Sequence, residues 1–237
     1  MTLVPAGQYT PILVPDGSGG AIVVWQDDRN GASDIYAQRV NSRGTSLWAA
    51  NGVALCTAPG AQWVLAQWAA IVADGAGGAI VVWQDLRSDA GDVYAQRVNS
   101  AGVPLWAANG VALCAAANAQ EFPVAIADGS GGVVVAWQDY RSGANYDVYA
   151  QRVNAVGAVQ WVANGVLMCA DGTDQDSHQI TSDGTGGAIV AWRDWRYGAS
   201  DHDIFAQRIN GAGVLQWFGS GNSMCNALGN QQAPQLV

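Results

Sequence analysis

Lysine is absent from this chain, and glutamate occurs once, as Glu121. All 10 basic residues are Arg, set against 19 acids, which leaves a formal net charge of −9. Nucleic acid and anionic membrane surfaces are bound through basic faces, so neither is an expected partner. A bilayer-spanning run of about 18 apolar residues is missing too, so membrane insertion is not expected. Met1 to Gly7 lack the basic and apolar parts of a signal peptide. No stretch keeps the spacing of an amphipathic helix for long enough to matter. Serine-nucleophile motifs and phosphate-cradling glycine loops before helices are likewise absent. The four Cys stand far apart, whereas paired zinc ligands sit roughly two to four residues apart.

What the chain has is repetition. Half of its residues are hydrophobic and 12% are charged, enough for a sizeable core. The motif Trp-Gln-Asp-x-Arg begins at Trp25, Trp83 and Trp137, and returns as Trp-Arg-Asp-x-Arg at Trp192. A period of about 55 residues implies an array of like units that must stack to bury their apolar faces. Each unit carries the turn Asp-Gly-x-Gly-Gly (from Asp16, Asp74, Asp128 and Asp183), then an apolar, β-branched run that ends in the Trp motif. A polar loop follows, then a run such as Asp34 to Asn41 closed by Asn-x-x-Gly, and a last segment with a Trp and a Cys. Short strand-like runs between Gly and Asn turns predict antiparallel meanders. The second run is apolar at nearly every position, as expected of a strand covered on both faces by radially packed sheets.

The stretch Arg29 to Tyr36 with the turn Asn41 to Gly44 resembles the propeller repeat of the TolB type, the WD40-like PD40 repeat. The likeness returns at Arg87 to Tyr94, Arg141 to Tyr149 and Arg196 to Phe205 and covers about half the chain. It implies a β-propeller and carries no particular activity. The expected fold is therefore an all-β propeller of four blades with four antiparallel strands each. Part of a larger propeller, or a strand-exchanged oligomer, is the alternative. The repeats lie at about 8–66, 67–119, 120–174 and 175–230 in one domain, 1–237. Residues 231–237 echo Gln8 to Val14 and form a closing or extra first strand, a possible route to a homo-oligomer.

The Asp and Arg of each Trp motif suit bidentate pairs that pin a hairpin. Arg29, Arg87, Arg141 and Arg196 are also the candidates for one ligand pocket per blade. Catalysis requires an asymmetric site, and groups distributed one set per blade speak against it. The turns Asp-Gly-x-Gly-Gly and Asn-x-x-Gly are predicted on one face, with variable loops on the other, where recognition usually resides. The variable loops supply Tyr140, Tyr146, Trp195, Tyr197, His202 and Trp63 as candidate ligand-binding residues, with Trp68 beside Trp63. His178 and His202 are expected at the surface, and Trp25, Trp83, Trp137 and Trp192 between blades. The four Cys (Cys56, Cys114, Cys169 and Cys225) are expected as buried thiols, one blade apart and too distant for disulfides. No cofactor is expected. Asp171, Asp174 and Asp176 form the one acidic cluster that could hold Ca²⁺, although it lacks the glycine of an EF-hand loop.

These features predict a non-enzymatic recognition module, lectin-like and multivalent, with a glycan or protein partner. A structural or protein-interaction propeller is the second expectation. The expected location, extracellular or cell-surface, rests on that recognition reading alone.

Overall fold

The computed structural model describes residues 7–64, 70–88, 90–198 and 201–236. The protein is an all-β propeller of four blades. Blade 1 comprises β1 (Gln8–Pro15), β2 (Ala21–Asp27), β3 (Asp34–Val40) and β4 (Val53–Cys56), hydrogen-bonded in that order. Blade 2 splits its first strand into β5 (Gln62–Trp63) and β6 (Ile71–Ala73), followed by β7 (Ala79–Asp85), β8 (Asp92–Val98) and β9 (Val111–Cys114). Blade 3 is β10 (Gln120–Ala127), β11 (Val133–Asp139), β12 (Asp147–Val153) and β13 (Val166–Leu167). Blade 4 is β14 (Gln175–Ser182), β15 (Ala188–Asp194), β16 (Asp203–Ile209) and β17 (Asn222–Cys225). The second blade thus starts at Gln62, the counterpart of Gln120, and the described parts of its first strand are Gln62–Trp63 and Ile71–Ala73.

First strands abut around the centre, β1 with β6, β6 with β10 and β10 with β14. The second strands fill the interior: every residue of β7 and β11 is buried, as their unbroken apolar runs require. Trp83, Trp137 and Trp192 are fully buried between blades, and truncating any of them to Ala costs about 3–5 kcal/mol. Three core clusters result, one at each of the interfaces 1–2, 2–3 and 3–4.

The repeated turns share one face and are built by local bonds. Asp16 Oδ1 accepts from the amides of Ser18 and Gly20 at 2.8 Å each, while its Oδ2 accepts from Arg39 Nε at 2.8 Å. A Cβ on Gly20 would lie 2.1 Å from the Val40 carbonyl oxygen, so only glycine fits where the turn meets β3. Asn41 caps its own turn by accepting from the amides of Arg43 and Thr45, at 2.9 and 3.0 Å. Cys56, Cys114 and Cys169 are buried free thiols, but Cys225 is exposed, contrary to the expectation of four buried thiols. No blade covers it among the described residues.

Candidate functional site

The second set of ion pairs lies at the other end of the blades. Arg29, Arg87, Arg141 and Arg196 each donate Nε to the Asp two residues earlier, at 2.8 Å in every blade. Their guanidinium groups lie 3.7 to 3.9 Å over Tyr36, Tyr94, Tyr149 and Phe205. The Nη2 atoms also reach the carbonyls of Asn51, Asn109, Asn164 and Ser220. The fork of each Arg is thereby committed to the fold, pinning the hairpin between the second and third strands. The Arg29 guanidinium holds the Asp27 carboxyl far below the usual carboxylate range. The Cys56 thiol beside the Asp85–Arg87 pair is pushed up to about 11 by burial.

At the start of each first strand the blades stop being alike. The residue after the repeated Gln is Tyr9, Trp63, Glu121 and Asp176 in blades 1 to 4. A bulge follows directly in β1, β10 and β14, and the next residue has a positive φ: Thr10 at 47°, Phe122 at 54° and Ser177 at 51°. Left-handed backbone is costly for such residues, most of all for a bulky Phe. Bulges of this kind bend a strand and re-aim its side chains. Here they follow directly on Tyr9, Glu121 and Asp176, on the first strands that abut at the centre.

Glu121 and Asp176, on adjacent blades, have different partners. Asp176 receives two bonds from Arg193, Nε to Oδ1 and Nη2 to Oδ2, both 2.6 Å, and a third from Trp195 Nε1 at 3.2 Å. Arg193 is the register partner of Asp176 and stands where the other blades carry Gln26, Gln84 and Gln138. Glu121 instead receives neutral donors, the Tyr146 hydroxyl at 3.0 Å and Gln84 Nε2 at 3.5 Å. Burial and the Glu121 carboxylate push the Tyr146 phenol up to about 12, so it remains a donor. Tyr146 also joins the two halves. Its amide donates to Asp174 Oδ1 at 2.9 Å, and its carbonyl accepts from the Gln175 amide at 2.8 Å.

Several residues expected at a site gather here. Tyr140 packs on Tyr146 with ring centroids 4.8 Å apart, and Trp63 pairs in register with Gln84. Trp195 lies tilted against His202 with ring centroids 4.0 Å apart. Tyr197 is exposed on the following loop, and Trp68 lies outside the described residues. His202 is 5% exposed and His178 fully buried, which corrects the expectation of two surface histidines. Burial lowers the His178 pKa to about 4; the backbone of Phe122 and Ala136 partly offsets this, and so does Asp176. His178 occupies the bulge position held by Pro11 and Pro123 in blades 1 and 3.

The three acids Asp171, Asp174 and Asp176 have separate partners. Asp176 pairs with Arg193, Asp174 accepts from Tyr146, and Asp171 accepts from Thr173 Oγ1 at 3.0 Å. Among the described residues no three His, Cys, Asp or Glu side chains gather as a metal site. Glu121, Arg193 and Gln84 were missed from the sequence. The signal for Glu121 and Arg193 was singularity: the one Glu of the chain, and the one break in Trp-Gln-Asp.

Neither a family model nor a curated protein matches this sequence. Among solved structures, a protein of unknown function from Dyadobacter fermentans is similar, with a TM-score of 0.53 and 11% identity over 88% of this chain and 67% of that one. An endo-arabinase from Bacteroides thetaiotaomicron is similar at TM-score 0.44 and 15% identity, covering 85% of this chain and 74% of that one. An alpha-L-arabinanase from Penicillium chrysogenum, complexed with arabinobiose, is similar at 0.47 and 12%, covering 92% and 74%. At such identities the likeness bears on the β-propeller fold alone, and it does not extend to the TolB type of repeat.

The expectation of a non-enzymatic, lectin-like or purely structural module is corrected. The endo-arabinase and the alpha-L-arabinanase are enzymes in their own right, and their likeness bears on this chain's fold alone. The objection to catalysis, that every blade carries the same groups, also falls. The equivalence holds for the Asp–Arg pairs and fails at Glu121, Asp176 and Arg193.

Proposed function

We propose that the chain is a glycoside hydrolase acting on neutral glycans at the variable face. The observation that carries this reading is the pair of carboxylates, Glu121 and Asp176, at corresponding places on neighbouring blades but with unlike partners. Cleavage of a glycosidic bond needs two carboxyl groups in different roles, one delivering a proton and one acting as an anion. Asp176 is ion-paired with Arg193 and takes the anionic role, which leaves proton delivery to Glu121, whose hydrogen-bond partners Tyr146 and Gln84 are uncharged. Tyr146 and Arg193 position these two carboxyls.

The aromatic groups Trp63, Tyr140 and Trp195 offer apolar faces to sugar rings. Arg193 is neutralised by Asp176, and the net charge of −9 disfavours anionic substrates, so the sugars are neutral. From this reading we infer an extracellular or cell-surface location, where polymers of such sugars are met.

The test is hydrolysis of a panel of neutral polysaccharides, arabinan included, read as released reducing ends. Glu121→Gln should abolish release while leaving the melting temperature in place. Failure of the wild-type protein on the whole panel, or undiminished release by Glu121→Gln, would overturn the reading.

A further inference from the structure

The three interfaces between blades are copies of one arrangement. Trp48, Trp106 and Trp161 donate Nε1 to the carbonyls of Ser100, Ala155 and Gly211 in the next blade, at 3.0, 3.1 and 3.1 Å. Arg39, Arg97 and Arg152 donate Nη1 to the same three carbonyls, at 3.1, 3.0 and 3.1 Å. The fourth members of these sets, Trp217 and Arg208, make no such bond among the described residues. Around them the apolar face of blade 4 is bare. Met224 is 52% exposed where Leu55, Leu113 and Met168 are at most 2% exposed, and Cys225 is exposed where its counterparts are buried.

The opposite half of the arrangement is bare on blade 1. In β2 burial alternates, so that Ala21, Val23 and Trp25 stay partly exposed, while their counterparts in β7 and β11 are buried. These are the positions that Ala79, Val81 and Trp83 use to receive blade 1. A counterpart of the first-strand segment also follows blade 4. The Gln231 amide donates to the His202 carbonyl at 2.8 Å, as Gln62 does to Ser33, Gln120 to Gly91 and Gln175 to Tyr146. Ala233 has a φ of 50°, matching the bulge residues Thr10, Phe122 and Ser177. No second strand pairs with this segment among the described residues.

We propose that a second copy of this chain docks its blade 1 on blade 4 of the first, head to tail. Residues 231–236 of the first copy displace β1 from β2 of the second, a strand exchange in which the released Gln8–Pro15 gives up its register pairs with Ala21–Asp27. The repeat dictates the contacts. Trp217 Nε1 and Arg208 Nη1 meet the Ser42 carbonyl of the second copy, and Met224 and Cys225 pack against its Val23 and Trp25. The two surfaces differ, so the contact is heterologous and each copy keeps one open half.

Sedimentation velocity over about a hundredfold range of concentration should show mass action toward species larger than one chain. Over the same range, labelling of the Cys225 thiol by a disulfide reagent should slow by about tenfold or more. Val23→Asp and Met224→Asp each alter a partly exposed residue, so both variants should fold. Each alone should stay a single chain, because one half of the contact is spoiled. Mixed, they should form a one-to-one dimer through the two intact halves. A single-chain mass at every concentration overturns the proposal, and so does association that survives both variants, or a mixture that stays monomeric. A monomer whose Cys225 is already protected overturns it as well, since that marks closure within one chain.

Discussion

On the face formed by the Asp-Gly-x-Gly-Gly and Asn-x-x-Gly turns, the four blades are interchangeable. Asp16, Asp74, Asp128 and Asp183 each pair with an Arg of the same blade, and Asn41, Asn99, Asn154 and Asn210 each cap their own turn. On the opposite face, the residue after the repeated Gln differs in every blade, as Tyr9, Trp63, Glu121 and Asp176. Repetition serves where every blade solves the same packing problem. It ends where one asymmetric object must be held at the centre, because chemistry there needs unlike groups rather than four equal ones.

The contrast makes distinct demands on mutants of the two kinds. Glu121→Gln alters the variable face and should lower hydrolysis by about 10³-fold, the size expected for loss of a general acid, with thermal stability kept. Asp139→Ala alters a repeated pair. It should cost about 3 kcal/mol in urea unfolding by leaving the Arg141 guanidinium without its partner, and should affect activity only as far as the fold loosens. A loss of activity without loss of stability in Asp139→Ala would break the division between the repeated and the variable groups.

His178 sharpens the comparison inside one strand. Its native pKa of about 4 lies below the usual histidine value, so the native state prefers the neutral ring. The unfolded chain then binds more protons in the window between those values, and stability should fall as pH drops from about 6.5 to 4, by roughly 2–3 kcal/mol. His178→Pro restores the residue of blades 1 and 3 and should remove this slope, measured as melting temperature against pH.

Asp147 titrates in the opposite sense. Burial lifts its carboxyl to about 6, so ionisation weighs on the native state, and this cost is present above pH 6 and absent below about pH 4. Asp147→Asn should gain about 1 kcal/mol at pH 8 and nothing at pH 3.5.

The fold was legible in the sequence because each of its devices is local and repeated. The glycines of the turns, the unbroken apolar second strand and the Trp motif each appear four times, and together they imply stacked antiparallel meanders. The bidentate Asp–Arg pairs span only two residues and were equally readable. Of the residues proposed above for the site, Tyr140, Tyr146, Trp63 and Trp195 stand out in the sequence as aromatics in segments that vary between repeats. Glu121 and Arg193 did not stand out, since each is a single change inside an otherwise regular strand. The partnership of Glu121 with Tyr146, 25 residues on, depends on how blade 3 folds back on itself.

The histidines show the same limit. Nothing near His178 in the chain predicts full burial, since β14 alternates with polar residues; the packing of β10 and β11 against it decides that. Cys225 was indistinguishable by sequence from Cys56, Cys114 and Cys169, yet it is exposed because burial there depends on the following blade. The sequence by itself determined the strands, their turns and their stacking, because periodicity and short-range hydrogen bonds act within one repeat. Only the tertiary structure decided which groups meet at the centre and which faces stay bare, because those depend on contacts between blades that no single repeat contains.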